Sequence, residues 1–318
     1  MYFGVKIAAK IGIIPANYWP KKQLIIFSLA NNINLFAKQQ QCSLLLQNIY
    51  PKDEADSIVQ YVFTEVLKLS PLQLRTNKNE VLKPMEAEAI DMVVKRLLTH
   101  EPVQYILGVA YFYGLRLVVH PGVLIPRRET EELVALIVKQ NAVTAPRMLD
   151  IGAGSGCIAI ALKHCIPNAE VFAIDASEAA VRLARQNALS LLQRDKEKKF
   201  LQRDIFDTTW WNELGSFDVI VSNPPYVTES EKVEMQPNVL AFEPAEALFV
   251  PDTDPLRYYS TIADFSLLNL RVNGKLYFEI NEQFGNETKE MLENKGFAAV
   301  EVYADMQGKQ RMISAVKR

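Results

Sequence analysis

From Lys22 to about Leu107 the apolar side chains return at helical spacing. Ile58, Val59, Val62, Phe63, Val66 and Leu67 fall at i, i+1, i+4, i+5, i+8 and i+9, one broad stripe of a helix. Ala89, Met92, Val93, Arg96 and Leu97 repeat the pattern, and Pro84 stands where a first helical turn can begin. Pro51 and Pro71 punctuate the segment. The pattern predicts three to five helices and no strand. At Tyr111–Val119 (YFYGLRLVV) the composition turns aromatic and β-branched, which reads as strand, and Pro121-Gly122 follows as a turn signal.

From Arg147 onward short apolar runs alternate with amphipathic ones. Strands are predicted at Met148–Ile151, Glu170–Ile174, Phe217–Ser222, Lys275–Ile280, Ala299–Tyr303 and Met312–Val316. Helices are predicted at Cys157–His164, Ser177–Leu191, Tyr258–Leu270 and Asn286–Lys295, with Ser177 as an N-cap. Alternating strand and helix means an α/β protein with a doubly wound, mostly parallel sheet. The short link between the last two strands predicts an antiparallel pair. The charge run Arg194–Lys199 (RDKEKK) reads as a solvated loop, and no internal repeat is present.

Composition narrows the class without changing that picture. The chain has 318 residues, enough for two domains at roughly 150 residues each. Its 35 basic and 37 acidic residues give a net charge of −2, which argues against a generally basic nucleic-acid binder. Three cysteines, Cys42, Cys157 and Cys165, make no disulfide framework, so a reducing, cytoplasmic setting is expected. The three histidines are scattered, with no HExxH and no CxxC, so no metal site is expected. Residues 1–22 are apolar, but Lys6 and Lys10 fall inside the run rather than before it. They read as an N-terminal extension, not as a secretory signal or a membrane span.

The first candidate chemistry is the loop Asp150-Ile-Gly152-Ala-Gly154-Ser-Gly156, which follows a predicted strand and opens a predicted helix. Glycines let the backbone turn sharply and approach a ligand. Asp175 ends the next strand, where a carboxylate can hold the hydroxyls of a ribose. Together these point to a nucleoside cofactor. Dinucleotide sites use GxGxxG, whereas the spacing here is GxGxG, and Asp150 would be a poor neighbour for a pyrophosphate. Spacing and charge favour S-adenosylmethionine. Cys157 reads as a packed small residue.

The second is Asn223-Pro224-Pro225-Tyr226 at the end of the apolar strand Phe217–Ser222. In open α/β folds ligands bind at the carboxyl edge of the sheet. Two prolines remove two backbone donors and stiffen the turn. The Asn223 Oδ1 and the Pro224 carbonyl can then accept both protons of a planar –NH₂, and Tyr226 offers a flat face. Beside a methyl-donor loop this reads as a nitrogen-methylating site. An amide nitrogen is a weak nucleophile, so two fixed acceptors that aim its lone pair and stabilise growing positive charge are the catalytic need.

These residues resemble the protein-(glutamine-N5) methyltransferases of peptide chain release factors, the HemK/PrmC family. The likeness runs from about Glu101 to the C-terminus and rests on GVAYFYGLRLVVHPGVLIPRRETEELV, DIGAGSGCIAIAL, FDVIVSNPPYV, EPAEALFVPDTDPLRYY and LYFEINEQFG. The resemblance implies a Rossmann-like S-adenosylmethionine-dependent methyltransferase sheet, a small all-helical N-terminal domain and a linking β-hairpin. It implies transfer to the glutamine of the GGQ loop in class I release factors, by a monomer with no nucleic-acid substrate. Gly152, Ala153, Gly154, Ser155, Gly156, Asp175, Asp204, Ile205 and Asn223 match cofactor positions, and Phe112 and Thr130 match parts that close over the methionine end. Asn223 and Pro224 match catalytic positions, and Asn223, Pro224, Pro225 and Tyr226 the glutamine-binding motif. Arg128 departs from the family, which carries a proline there. The expected organisation is an extension at 1–22, a helical substrate-recognition domain at 23–108, a linking hairpin at 109–125 and a catalytic domain at 126–318. The Asn-Pro-Pro-Tyr motif is shared with adenine-N6 DNA and RNA methyltransferases, the alternative reading, which would call for a basic or base-flipping recognition domain.

Overall fold

The computed structural model describes residues 33–141, 145–192 and 199–318. The expectations placed on residues 1–22, and the first ten residues of the predicted helical domain, lie outside the described residues. So does the charge run apart from Lys199. The chain divides into two compact units between Leu107 and Gly108.

The first unit contains five described helices: α1 (Leu35–Leu46), α2 (Lys52–Leu67), α3 (Pro71–Thr76), α4 (Pro84–Leu97) and α5 (Val103–Leu107). Local chemistry sets their ends. Asn34 caps α1 by accepting from the Ala37 N–H, Ser70 and Gln73 form a reciprocal capping box on α3, and Pro71 and Pro84 occupy first-turn positions. The predicted stripe of α2 turns inward: Val59, Val62 and Phe63 are buried with Ile90, Val93, Val94 and Leu97 of α4 in one core.

The second unit opens with a hairpin, β1 (Val109–Phe112) and β2 (Leu115–Val118). Its turn falls at Tyr113-Gly114, where both residues have positive φ, the geometry of a tight hairpin turn. The predicted turn at Pro121-Gly122 lies beyond the hairpin. Helix α6 (Arg128–Asn141) leads into a seven-stranded sheet with β3 (Arg147–Ile151), β4 (Glu170–Asp175), β5 (Phe200–Gln202), β6 (Phe217–Ser222), β9 (Leu270–Glu279), β10 (Ala298–Ala304) and β11 (Gln310–Val316). A two-stranded pair, β7 (Val227–Thr228) and β8 (Phe249–Val250), stands apart. The strand order is β10-β11-β9-β6-β3-β4-β5, parallel except for β11, which runs antiparallel to both neighbours. The last two strands therefore pair as expected, with β11 inserted between β9 and β10. Edge strand β5 was not predicted, since three residues are too short for a pattern.

Helices α6, α7 (Cys157–Cys165) and α8 (Glu178–Leu191) cover one face over Met148, Val219, Val221 and Tyr277. Helices α10 (Arg257–Asn269) and α11 (Gly285–Asn294), with Trp210 and Trp211, cover the other over Leu149, Ile151, Ile220 and Phe278. The alternation along each strand is the period of two that a sheet buried on both faces requires. Strand β3 lies between β4 and β6, so successive connections leave it in opposite directions. A crevice opens at the carboxyl ends of strands at such a switch point. Both motifs emerge there, the glycine loop from β3 and Asn-Pro-Pro-Tyr from β6.

Candidate active site

A cavity of about 510 Å³ occupies this crevice. Its lining includes Gly152, Ala153, Gly154 and Ser155, together with Asp175, Asp204, Ile205, Asn223, Pro224, Pro225 and Thr130. Gly152 and Gly154 sit at φ +77° and +55°, where an L side chain is strained. A Cβ at Gly152 would point toward the Asn223 carbonyl, 3.9 Å away. The loop thus brings bare backbone to the cavity wall. Its own donors are largely spent inside the protein. The Gly152 and Ala153 N–H groups reach the Ile174 carbonyl at 2.9 and 3.0 Å, and the Gly156 N–H reaches the Ala153 carbonyl at 2.8 Å. A pyrophosphate would need such donors free, so the loop fits a nucleoside with a cationic end better than a dinucleotide.

Carboxylates hold the loop in place. Asp175 Oδ2 accepts from Gly154 N–H at 2.8 Å while Oδ1 accepts from Ser177 N–H at 2.9 Å. Burial raises its pKa above the ordinary value. Asp150 is fully buried behind the loop and accepts from Ala159 N–H at 3.1 Å, pinning helix α7. Burial pushes its pKa up to about 7. Asn187, on α8, donates to the carbonyls of Ser155 and Val118 at 3.0 Å each and accepts from the Val118 N–H at 2.8 Å, stitching loop, helix and hairpin together.

The Asn-Pro-Pro-Tyr turn is braced from strand β9. Glu279, the last residue of β9, is 1% exposed. Its Oε2 accepts from the Thr130 hydroxyl at 2.6 Å and its Oε1 from the Tyr226 hydroxyl at 2.9 Å. Thr130 Oγ1 in turn accepts from Asn223 Nδ2 at 3.2 Å. Burial raises the Glu279 pKa, opposed by the bonds from Thr130 and Tyr226. Asn281 Nδ2 donates to the Tyr226 carbonyl at 3.1 Å.

Three expected contacts are placed elsewhere. Phe112 is 1% exposed in the core beneath α6 and α7, so the hairpin aromatic fills packing space rather than the cavity wall. Gly156 is absent from the lining. Its φ is +81° and a Cβ would sit 3.1–3.2 Å from Ala184, Ile160 and Phe200, so this glycine serves helix–sheet packing. Tyr226 turns its hydroxyl back to Glu279 and packs against the second-face core, and it is absent from the cavity lining.

The structure also adds wall residues the sequence did not single out. Phe206 and Tyr258 line the cavity next to Ile205 as an edge-to-face pair 4.9 Å apart, with the Arg257 guanidinium 4.8 Å from the Phe206 ring centre. An aromatic wall stands there although position 205 is aliphatic. Arg127 also lines the cavity and is paired at 2.6 Å with Glu243, whose neighbour Pro244 lines it too. Arg128 is exposed at the first turn of α6, outside the lining. Among the described residues no cluster of three or more His, Cys, Asp or Glu could hold a metal ion, and no helix is long and apolar enough to cross a membrane.

A family model described as "Methyltransferase small domain" matches residues 116–248, and one described as "PrmC N-terminal domain" matches residues 39–108. The release factor glutamine methyltransferase of Bacteroides thetaiotaomicron is 44% identical over 285 residues, covering 90% of this chain and 99% of that protein. That of Flavobacterium psychrophilum is 40% identical over 272 residues, covering 84% and 94%. Among solved structures, a methyltransferase from Pyrococcus furiosus aligns over 70% of this chain and 96% of its own, with a TM-score of 0.47 and 18% identity.

Proposed function

The chain belongs to the release factor glutamine methyltransferase family, and from that premise we propose that it methylates the side-chain nitrogen of the GGQ-loop glutamine in class I peptide chain release factors. Its methyl donor is S-adenosylmethionine, which when bound supplies an electrophilic methyl group on a positively charged sulfur. Gly152 to Ser155 would take the donor against bare backbone, Asp175 the ribose hydroxyls, and Asp204, Ile205, Phe206 and Tyr258 the adenine.

The observation that carries the substrate reading is the setting of Asn223. Its amide lies on the same cavity wall as the glycine loop, one strand away. Its Nδ2 is committed to Thr130, and among the described residues no hydrogen bond is directed at its Oδ1. That oxygen and the Pro224 carbonyl are two acceptors for the two N–H bonds of a glutamine amide. Holding both N–H bonds fixes the amide plane and turns the nitrogen lone pair away from the acceptors. The same dipoles stabilise positive charge as it grows on nitrogen, and the alkylated nitrogen then releases a proton readily. A general base ahead of bond formation is not required. Family membership does not favour the adenine-N6 alternative, whose substrate would offer a similar –NH₂. The partner is a protein surface, in keeping with a net charge of −2, and translation termination places the enzyme in the cytoplasm.

The test is incubation with methyl-labelled donor and, in parallel, a release factor, its GGQ glutamine-to-alanine variant, and adenine-containing DNA and RNA. Label on the factor and not on its variant is expected. Label on nucleic acid alone overturns the reading. Asn223→Ala is expected to lower kcat roughly 100-fold, the scale of losing one preorganised electrostatic partner.

A further inference from the structure

Asparagine presents an oxygen from one end of its amide and an NH₂ from the other, and the two ends have nearly the same shape. A site that accepts the protons of a substrate amide works only with the oxygen forward. With the NH₂ forward, donor would face donor. Something in the fold must choose.

We propose that Thr130 and Glu279 are positioning residues that set the orientation of Asn223, and so make the site select an amide over a carboxylate. This rests on the glutamine reading above. Three hydrogen bonds set the orientation. Glu279 ends β9, one strand from β6, because the register pairs Ser222 with Phe278. Its carboxylate is buried and receives two hydroxyls on separate oxygens, Thr130 at 2.6 Å and Tyr226 at 2.9 Å. A carboxylate only accepts, so the single Thr130 proton is spent on it. The Thr130 oxygen can then only accept in its turn. It therefore takes the NH₂ end of Asn223, at 3.2 Å, and leaves Oδ1 for the substrate. The burial of Glu279 and Thr130, at 1% and 2% exposure, keeps water from competing for the Thr130 proton.

This assigns Thr130 a different part from a cofactor contact, and it assigns Glu279 a part at all. It also predicts specificity. Two acceptors facing the target nitrogen repel a carboxylate, so a release factor with glutamate in place of the target glutamine is a poor competitor of the wild-type enzyme. Without Thr130 to hold it, Asn223 can turn its NH₂ forward and tolerate that carboxylate.

The experiment uses the full chain with labelled S-adenosylmethionine and release factor, for wild type, Thr130→Val, Thr130→Ser and Glu279→Gln. Donor Kd is read by calorimetry and folding by thermal unfolding. Thr130→Val is expected to lose at least tenfold in kcat with donor Kd within threefold of wild type, while Thr130→Ser keeps most activity. The preference for glutamine factor over glutamate competitor, taken as Ki over KM, is expected to fall at least fivefold in Thr130→Val. Glu279→Gln, whose amide can donate to Thr130 and reverse the chain, is expected to shift the same ratio in the same direction. An unchanged ratio in both variants overturns the proposal, as does a Thr130→Val whose whole loss is donor affinity. If Thr130→Val fails to fold, Glu279→Gln decides by the same ratio, with Thr130→Ser as the folded reference that keeps the wild-type value. The wild-type arm reads the substrate separately. Label on the factor and none on its alanine variant keeps the glutamine reading whatever Thr130→Val does, and a wild type that labels neither overturns both.

Discussion

Asp150 shows how a single buried acid can answer to pH. It is fully buried behind the glycine loop; it accepts from the Ala159 N–H, and its Oδ1 has no partner among the described residues. Folded Asp150 keeps its proton up to about pH 7, whereas the ordinary value is 3.8. Between those values the folded state binds more protons than the unfolded chain, so stability falls as pH rises, and the loss is complete above the folded value. Asp150→Asn has no charge to bury and keeps an oxygen for Ala159. Measured without donor from pH 5 to 8, its melting temperature should gain on wild type up to about pH 7 and then level off. The full effect is at most on the order of 4 kcal/mol. A difference that does not change with pH would mean the wild-type carboxyl does not titrate in this range. At this scale the sequence announced residues that share a local motif. The glycine loop, Asp175 and Asn223 were legible because strand, turn and spacing are written consecutively. Glu279 and Asn187 were not, because their roles come from which strand or helix lies alongside. Gly156 and Phe112, expected at the cofactor, sit in packing instead, for the converse reason: a glycine or aromatic next to a motif looks the same in sequence whether it faces cavity or core.

Elements that cover the cavity are held by the Arg127–Glu243 pair. Glu243 ends helix α9 (Pro237–Phe242) at its C-cap, and its side chain is 1% exposed. Oε1 pairs with Arg127 Nη2 at 2.6 Å, and Oε2 accepts from the Ile125 N–H at 3.2 Å. One carboxylate therefore joins the segment ahead of α6 to the segment that supplies Pro244, Glu246 and Ala247 to the cavity. Arg127→Ala strands that buried charge. A fully buried pair broken this way costs about 3–5 kcal/mol, and roughly half of that is expected here because Arg127 is about a third exposed. Hydrogen exchange over residues 237–250 should quicken, and the Kd for donor should rise severalfold. Adding Glu243→Gln removes the stranded charge while leaving an oxygen for Ile125, so the double variant should exchange more slowly than Arg127→Ala alone. Unchanged exchange in Arg127→Ala would show that the segment is held by other contacts. Most elements were legible from periodicity, with ends displaced by a residue or two. The exceptions were α6, fourteen residues long but not assigned from the sequence, and elements that are short or aperiodic. β5 has three residues and α9 six, and the start of β9 at Leu270 was not predicted because Arg271 to Gly274 carry no alternation of their own. The hairpin turn was missed because Tyr113-Gly114 is a weaker turn signal than Pro121-Gly122, though the fold puts both residues at positive φ.

At the scale of the molecule, the chain is two compact units, Met1–Leu107 and Gly108–Arg318. Each has its own core, α1, α2 and α4 around Phe63 in the first and two helix-covered sheet faces in the second. Every cavity-lining residue, from Gly122 to Ile262, belongs to the second unit. The described residues of the first unit contribute none, yet residues 39–108 match the model described as "PrmC N-terminal domain". A unit that does not build the donor site is free to read the protein substrate. This separates two quantities that a single-domain enzyme would couple. A chain of residues 108–318 is expected to fold, since a unit of that size buries a sufficient core, and to bind S-adenosylmethionine within about threefold of the full chain's Kd. Its kcat/KM on an intact release factor should drop at least tenfold, because a single amide side chain offers too few contacts to hold a protein by itself. On a short peptide carrying the GGQ sequence, which has little surface for a recognition unit to touch, fragment and full chain should differ by much less. Equal rates on the intact factor would move substrate recognition into the catalytic unit. Loss of donor binding would show that the helices support the cavity. A tenfold loss confined to the intact factor is the outcome in which the amide site selects the atom and the helical unit selects the protein.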